Sequence, residues 1–278
     1  MGVDFRARIK THKKRGTDMT ANKIANMTAE ESKDTFANPS LDRRRMLAGL
    51  GAAGAVGAFV GLMPGRALAA IKPGKNAVLL VIDLQNCFLP GGTLAVKGGN
   101  EIIPVINALG KKFNNVVFTQ DWHTKNHTSF ASSHPGKKPF ETVKLSYGEQ
   151  VLWPDHCIQG SDDAKLAAGI DIPHAQLIIR KGYHNEIDSY STFVAADKKT
   201  KTGLTGYLME RGLTDVYVCG LATDFCVSWS AIDARSSKLD VSVIEDACRG
   251  IDLNGSVAAA WKSMAASGVK RIKSGDIA

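Results

Sequence analysis

From about residue 76 onward, short apolar runs alternate with segments of helical character. The first run, Ala77–Ile82 (AVLLVI), is continuous, as expected of a strand buried on both faces of a sheet. Similar runs predict further strands at 115–119, 176–180, 215–219 and 240–245.

Helices are predicted between these strands, at about 101–113, 203–212, 226–238 and 255–267. Gly212 and Gly268 stand where helix C-caps are expected. Alternation of strands and helices is typical of α/β proteins. We therefore predict a three-layer α/β/α fold, with a mostly parallel sheet between helices on both faces.

Residues 1–70 differ from the rest of the chain and are predicted to be an export segment. Residues 1–40 are polar without apolar periodicity, which is typical of disorder. Arg43-Arg44-Arg45 precedes a Gly- and Ala-rich apolar run, 46–63, and Ala67-Leu68-Ala69 matches a small-residue cleavage site. This order resembles a twin-arginine signal, whose pathway carries proteins already folded, often with a metal bound.

The signal predicts a periplasmic or otherwise exported protein that meets the membrane only transiently, with residues 71–278 as its folded domain. The alternative is a membrane anchor, but Gly and Ala make the apolar run a poor spanning helix. The basic stretch before Arg43 is long for a signal, so Met19 and Met27 are alternative start residues.

The net charge of +8 is concentrated in this first segment. Residues 1–70 carry twelve Lys+Arg and six Asp+Glu, whereas 71–278 carry 23 and 21. A nearly neutral domain argues against a nucleic-acid partner. The five cysteines include no CxxC pair, which argues against a disulfide framework or a structural zinc knuckle. An odd count also leaves at least one thiol free within the chain.

Polar residues with catalytic potential follow the predicted strands closely. Asp83 follows the first strand, Asp121 and His123 the second, Lys181 the third, and Cys226 lies a short loop beyond the fourth. In open α/β sheets, ligands bind outside the carboxyl ends of the strands. We therefore predict that these residues converge at one edge of the sheet.

Cys226 is a candidate nucleophile because it would lie near a helix N-terminus. Backbone N–H groups and the helix dipole there favour a thiolate and could hold an oxyanion. Asp83 could take the thiol proton, while Lys181 could steady the aspartate and the developing anion. Taken singly, each residue has a simpler interpretation: a buried core cysteine, and solvated or capping charges at strand ends.

An irregular stretch, about 121–175, interrupts the alternation and is rich in His, Trp and Pro. Long irregular segments within folded domains are commonly functional. Asp121, His123 and His156 offer one carboxylate and two imidazoles, a set that leaves open positions on a metal. We predict that they bind one divalent ion (Zn, Fe or Mn), with His127 as a further candidate ligand.

Five sequence blocks carry a family resemblance, in order and with suitable spacing over about 76–273. The blocks are Asp83-Leu84-Gln85-Asn86-Cys87-Phe88, Gln120-Asp121-Trp122-His123, Trp153-Pro154-Asp155-His156-Cys157, Arg180-Lys181-Gly182 and Ala222-Thr223-Asp224-Phe225-Cys226-Val227. They resemble the nicotinamidases of the isochorismatase-like cysteine hydrolases. The resemblance implies that 71–278 is an isochorismatase-like hydrolase domain, often a homo-oligomer. It would hydrolyse nicotinamide to nicotinate and ammonia in NAD salvage, with pyrazinamide as a further substrate.

The resemblance also implies roles for the matching residues. Asp83 would draw the proton from Cys226, whose sulfur attacks the carboxamide carbon to form a thioester, while Lys181 stabilises charge. The N–H groups of Ala222 and Cys226 would hold the oxyanion, beside a cis peptide at Leu221–Ala222. A non-proline cis bond persists only where its surroundings enforce it.

The metal is implied to bind the pyridine nitrogen or to hold a water nearby. Three aromatic residues are implied to flank the ring: Phe88, Trp153 and Tyr190. Ordinary core packing is the alternative for all three, and it is favoured for Tyr190. Cys87 departs from the family pattern, which has an acid there, so alanine substitution is expected to abolish turnover at Cys226 and change it little at Cys87.

Three other functions are alternatives to this one. A related amidohydrolase acting on a ureido or carbamoyl amide would keep Asp83, Lys181 and Cys226 without requiring the metal set. Isochorismatase activity is disfavoured because a thiol nucleophile has no role in vinyl ether hydrolysis. A nucleotide- or metal-binding module without catalysis is also disfavoured, because neither a GxGxxG after the first strand nor a P-loop is present.

Overall fold

The computed structural model of the protein describes residues 70–278. The predictions of a disordered N-terminus, a twin-arginine signal and a cleavage site therefore lie outside the described residues. Within 70–278, every helix is too short or too polar to cross a membrane.

Eight strands form within the described residues: β1 (Ala77–Ile82), β2 (Val116–Asp121), β3 (Thr142–Leu145), β4 (Gly148–Val151), β5 (Leu177–Lys181), β6 (Asp215–Leu221), β7 (Asp240–Arg249) and β8 (Lys270–Ile272). Four α-helices accompany them in the same part of the chain: α1 (Ile103–Gly110), α2 (Leu204–Glu210), α3 (Ser228–Ser236) and α4 (Ser256–Ala266). All the predicted strands and helices are confirmed, with shifted ends.

Six strands of residues 70–278 form one sheet in the order β5-β2-β1-β6-β7-β8, and every neighbouring pair is parallel. The strand order runs from β1 towards β2 on one side and from β6 towards β8 on the other. Because crossovers between parallel strands are right-handed as a rule, connections in opposite directions are expected to place α1 on one face of the sheet and α3 and α4 on the other. The predicted three-layer α/β/α fold is confirmed, with β1 fully buried at its centre.

A short antiparallel hairpin and a short edge strand were absent from the sequence prediction. β3 and β4 form a separate antiparallel hairpin inside the irregular stretch. β8 adds three residues at the edge of the sheet. Both are largely polar and partly exposed, so neither shows the apolar run that marks the buried strands.

Strand register determines which side chains meet at the carboxyl edge of the sheet. Asp121 and Lys181, the last residues of β2 and β5, are direct partners across those strands. Ile82 of β1 pairs with Gly220 of β6, so Asp83 emerges beside the end of β6. Residues distant in sequence are therefore brought to one edge, as predicted.

The cysteine expectation is wrong in one respect: Cys87 and Cys157 form a disulfide. Both residues are buried, and they are 70 positions apart in sequence. Cys219, Cys226 and Cys248 are free, buried thiols. Counting cysteines and searching for CxxC detects cysteines that are paired close together in sequence. This approach cannot detect a single disulfide between residues that meet only in the folded chain, where their Cα atoms are 5.7 Å apart.

Candidate active site

Cys226 lies in a single turn of π-helix, Thr223–Val227, between β6 and α3. The turn begins after a cis peptide bond at Leu221–Ala222, which confirms that expectation. The N–H groups of Phe225 and Val227 both donate to the Ala222 carbonyl oxygen at 3.1 Å. Ala222 and Cys226, which flank this turn, both line the same pocket.

Asp224 of the same turn is a structural acid. Its carboxylate accepts hydrogen bonds from the N–H groups of Ile251 at 3.0 Å and Asp252 at 2.8 Å, and from Ser256 Oγ at 2.5 Å. These hydrogen bonds connect the turn that carries Cys226 to the loop before α4. That loop brings Ile251 into the pocket lining.

The Cys226 side chain is buried, and burial raises the pKa of its thiol well above the ordinary value. The Asp121 and Asp83 carboxylates raise it further, against the lowering effect of Lys181. Burial therefore opposes the thiolate that the helix N-terminus was expected to favour, so the thiol needs a base to lose its proton.

Lys181 joins the candidate catalytic groups. Its Nζ lies 2.8 Å from Asp83 Oδ2, 2.5 Å from Asp121 Oδ1 and 3.2 Å from Cys226 Sγ. Burial alone would lower the pKa of Lys181, but the two carboxylates raise it well above its usual value. An ammonium therefore persists in a site where water is excluded. The predicted meeting of acid, amine and sulfur is confirmed.

The two carboxylate oxygens of Asp83 have different partners. Thr119 Oγ1 donates to Oδ1 at 2.5 Å and accepts from the Asp83 N–H at 3.0 Å. Among residues 70–278, Oδ2 accepts no aligned hydrogen bond, although Lys181 Nζ is close by. The pKa of Asp83 is raised, chiefly by burial. A carboxylate with raised proton affinity and an oxygen within 4.8 Å of the Cys226 sulfur suits a general base. Thr119 was not predicted, since a threonine inside a strand gives no signal of function.

Asp121, His123 and His156 lie together as the predicted group of metal ligands, called the metal cluster below. Asp121 Oδ2 lies 3.7 Å from His123 Nε2 and 3.8 Å from His156 Nε2, and all three side chains are buried. Metal–ligand bonds are about 2.1 Å long, so two ligands of one ion lie within about 4.2 Å of each other. The spacing and chemistry of these donors therefore fit one divalent ion.

Backbone carbonyl groups orient both histidines. His123 Nδ1 lies 3.0 Å from the Gly182 oxygen, and His156 Nδ1 lies 2.8 Å from the Pro154 oxygen. A carbonyl only accepts, so each Nδ1 must carry the proton and each Nε2 keeps a lone pair for a metal. Gly182 has φ +66°, and a Cβ there would lie 2.6 Å from the His123 ring. The glycine after Lys181 is therefore required by the close approach of His123.

His127 lies beside the cluster, with its ring 4.4 Å from that of His123. Its Nε2 bonds to the His184 carbonyl at 3.0 Å, and its Nδ1 to Ser129 Oγ at 2.8 Å. Burial lowers the pKa of His127 to about 4, so the ring is neutral. Both nitrogens are already engaged, which leaves His127 no free lone pair as a ligand in this arrangement.

A small pocket opens beside Cys226 and the three candidate metal ligands. All three predicted aromatic residues line it: Phe88, Trp153 and Tyr190. Phe225 and Asp188 also line it and were not predicted. Phe225 immediately precedes the candidate nucleophile, a signal that could have identified it.

A hydrogen-bond network fixes the aromatic wall. Trp153 Nε1 donates to the Tyr190 hydroxyl at 2.9 Å, and Gln150 Nε2 donates to the same oxygen at 3.0 Å. Gln150 Nε2 also donates to Asp188 Oδ2 at 2.7 Å. Tyr190 therefore packs in the wall and lines the pocket as well. The pocket lining combines this aromatic wall with the Cys226 sulfur and the three candidate metal ligands.

Comparison with known proteins assigns the family. Residues 77–276 match the isochorismatase domain. The chain is 58% identical to a nicotinamidase of Acinetobacter baylyi over 207 residues, covering 74% of this chain and 97% of that protein. The chain belongs to the isochorismatase family.

Two solved structures extend this similarity. A nicotinamidase and pyrazinamidase from Acinetobacter baumanii is 60% identical, with a TM-score of 0.73, covering 73% of this chain and 98% of that one. A pyrazinamidase of Pyrococcus horikoshii in complex with zinc is 31% identical, with a TM-score of 0.58, covering 71% and 99%.

Proposed function

We propose that this protein is a nicotinamidase that hydrolyses nicotinamide to nicotinate and ammonia through a thioester on Cys226. The observation that carries the proposal is the meeting of Cys226, Lys181 and Asp83 beside a small aromatic pocket. The nicotinamidases similar to this chain support the substrate, and the similar pyrazinamidases support pyrazinamide as a second one.

The proposed reaction moves one proton between Cys226, Asp83 and the leaving group. Asp83 Oδ2 takes the proton from the Cys226 thiol, and the sulfur bonds to the carboxamide carbon. Lys181 stabilises the two anions, and the N–H groups of Ala222 and Cys226 face the developing oxyanion. The carbon–nitrogen bond breaks as Asp83 returns the proton to the departing ammonia. Water then cleaves the thioester, which releases the acid and restores the thiol.

We propose that Asp121, His123 and His156 hold a zinc, iron or manganese ion. When bound, the ion supplies a Lewis-acidic position for the ring nitrogen or for a water molecule. Trp153 and Phe225, whose rings meet edge-on at 4.7 Å, form the wall against which a flat ring packs. Their position orients the carboxamide carbon towards Cys226.

Ammonia release tests the reaction and the metal together. Purified protein should release ammonia from nicotinamide and pyrazinamide, and much more slowly from ureido and carbamoyl amides. Chelation should remove most of the activity, and one equivalent of zinc, iron or manganese should restore it, because the donor set holds one ion. Replacing His174, a histidine bonded to the Phe113 carbonyl outside the pocket, should leave metal content unchanged. Full activity on a ureido amide without metal would favour the related amidohydrolase instead.

We also propose that the protein is exported through its twin-arginine segment to an oxidising compartment. Disulfides persist in oxidising compartments and are rare in the reducing cytosol. The Cys87–Cys157 disulfide therefore supports export independently of the signal.

Fractionation of cells that express the full chain tests export. We expect the mature protein in the periplasm, beginning at Ala70, with three alkylatable thiols after denaturation, because two of its five cysteines form the disulfide. The Arg43→Lys, Arg44→Lys double variant should stay in the cytoplasm with an intact terminus and five reactive thiols. An uncleaved terminus in the membrane fraction would instead indicate an anchor.

A further inference from the structure

The Cys87–Cys157 disulfide joins two segments that build the active site from different parts of the chain. Cys87 directly precedes Phe88, which lines the ring pocket, and follows Asp83 by four residues. Cys157 directly follows His156, one of the metal-cluster histidines. Each end of the bridge is therefore one residue from a side chain that faces the pocket.

Cys157 also contacts the second histidine of the cluster. Its carbonyl oxygen accepts the His123 N–H at 3.1 Å, so the Cys157 backbone supports both histidines. Its φ is +47°, in the left-handed region that residues other than glycine seldom adopt. A residue in this conformation depends on its surroundings to keep it there.

Neither bridged segment belongs to a strand of the sheet. Asp163 connects them without a covalent bond, since its carbonyl accepts the Cys87 N–H at 2.8 Å and its Oδ2 accepts the Cys157 N–H at 3.1 Å. The Phe88 and His156 rings meet edge-on at 5.7 Å. The disulfide is the covalent tie across this contact.

We infer that the Cys87–Cys157 disulfide is a positioning cross-link that sets the spacing between the ring wall at Phe88 and the metal ligand His156. The inference rests on the proposed function and deepens it. A ligand on an untied loop spends part of its time away from the binding geometry, and apparent metal affinity falls by that fraction. The same freedom at Phe88 loosens the ring subsite, while Cys226, Asp83 and Lys181 keep their contacts.

The Cys87→Ala, Cys157→Ala variant tests this inference. Loaded with zinc and titrated with a competing chelator, it should bind zinc about 10- to 100-fold more weakly than the wild type, as expected when support of a metal ligand is lost. KM for nicotinamide should rise by about tenfold, and kcat with saturating zinc should stay within about threefold, because the loss is one of pre-organisation. The matched control is Cys219→Ala, Cys248→Ala, which removes two buried sulfurs that are not bonded to each other. It should bind zinc like the wild type.

Chemical reduction provides a second measurement that does not depend on folding of the variant. Wild-type protein reduced with a phosphine, with both new thiols verified by alkylation and mass, should show the same loss of zinc affinity. Unchanged zinc affinity in both the reduced protein and the double variant would overturn the inference, as would an equal loss in the control pair. A selective zinc loss in a protein that releases no ammonia from nicotinamide would overturn the proposed function while supporting the cross-link.

Discussion

Replacing Cys226 with alanine will reduce kcat/KM for nicotinamide by at least about 10⁴-fold. The reason is that removing one member of a catalytic unit abolishes nearly all the rate enhancement that the whole unit provides. The sulfur has no substitute: the other free thiols described, Cys219 and Cys248, lie in β6 and β7 and do not line the pocket. Ammonia release under saturating substrate and metal is the measurement.

Two observations make this result specific to the nucleophile. Cys219→Ala removes a buried sulfur from β6 and should keep activity within a few-fold of the wild type. Cys226→Ala itself should still bind nicotinate and one metal ion, since neither the aromatic wall nor the metal cluster uses the sulfur. Residual activity above about one per cent in Cys226→Ala would show that another group attacks the amide.

Replacing Lys181 with methionine will lower the free energy of unfolding by about 3–5 kcal/mol in metal-free protein, and will also abolish turnover. Lys181 is fully buried between Asp83 and Asp121, so its loss leaves two carboxylates in a dry site without a counter-charge. Urea unfolding in the presence of a chelator measures the effect, because no added cation can then compensate.

Matched variants distinguish the effect of losing this buried ammonium from the effect of losing an exposed lysine. Lys198 forms an exposed ion pair with Asp233, and Lys198→Met should cost less than about 1 kcal/mol. Adding Asp83→Asn to Lys181→Met should restore part of the lost stability, since it removes one of the two uncompensated charges. A Lys181→Met protein as stable as the wild type would contradict the ion cluster described here.

The fold was predictable because each buried strand coincides with an apolar run in the sequence. β1 and the four runs after it alternate with helices, and polar residues mark the carboxyl ends of the strands. Parallel strands place those ends at one edge, so the meeting of Asp83, Lys181 and Cys226 follows from topology. The metal cluster was predictable because Asp121 and His123 belong to that edge and His156 has matching chemistry.

Other features depend on tertiary contacts that leave no local signal. Burial by the completed pocket raises the pKa of the Cys226 thiol, an effect that the position of Cys226 near a helix end does not reveal. The disulfide was not predictable because its two cysteines, 70 residues apart in sequence, meet only when both loops have folded. Gln150 reaches Tyr190 and Asp188 from a hairpin too polar to be predicted as strands.

Asp121 divides its carboxylate between two neighbours: Oδ1 meets Lys181, and Oδ2 faces the two histidines. An ion bound at Oδ2 would draw electron density from the Asp121 carboxylate, and this would weaken the attraction between Oδ1 and the Lys181 ammonium. An ion held there as proposed would therefore affect how strongly Lys181 favours the Asp83 and Cys226 anions. In that arrangement, the Asp121 side chain links the choice of ion to the reactivity of the sulfur.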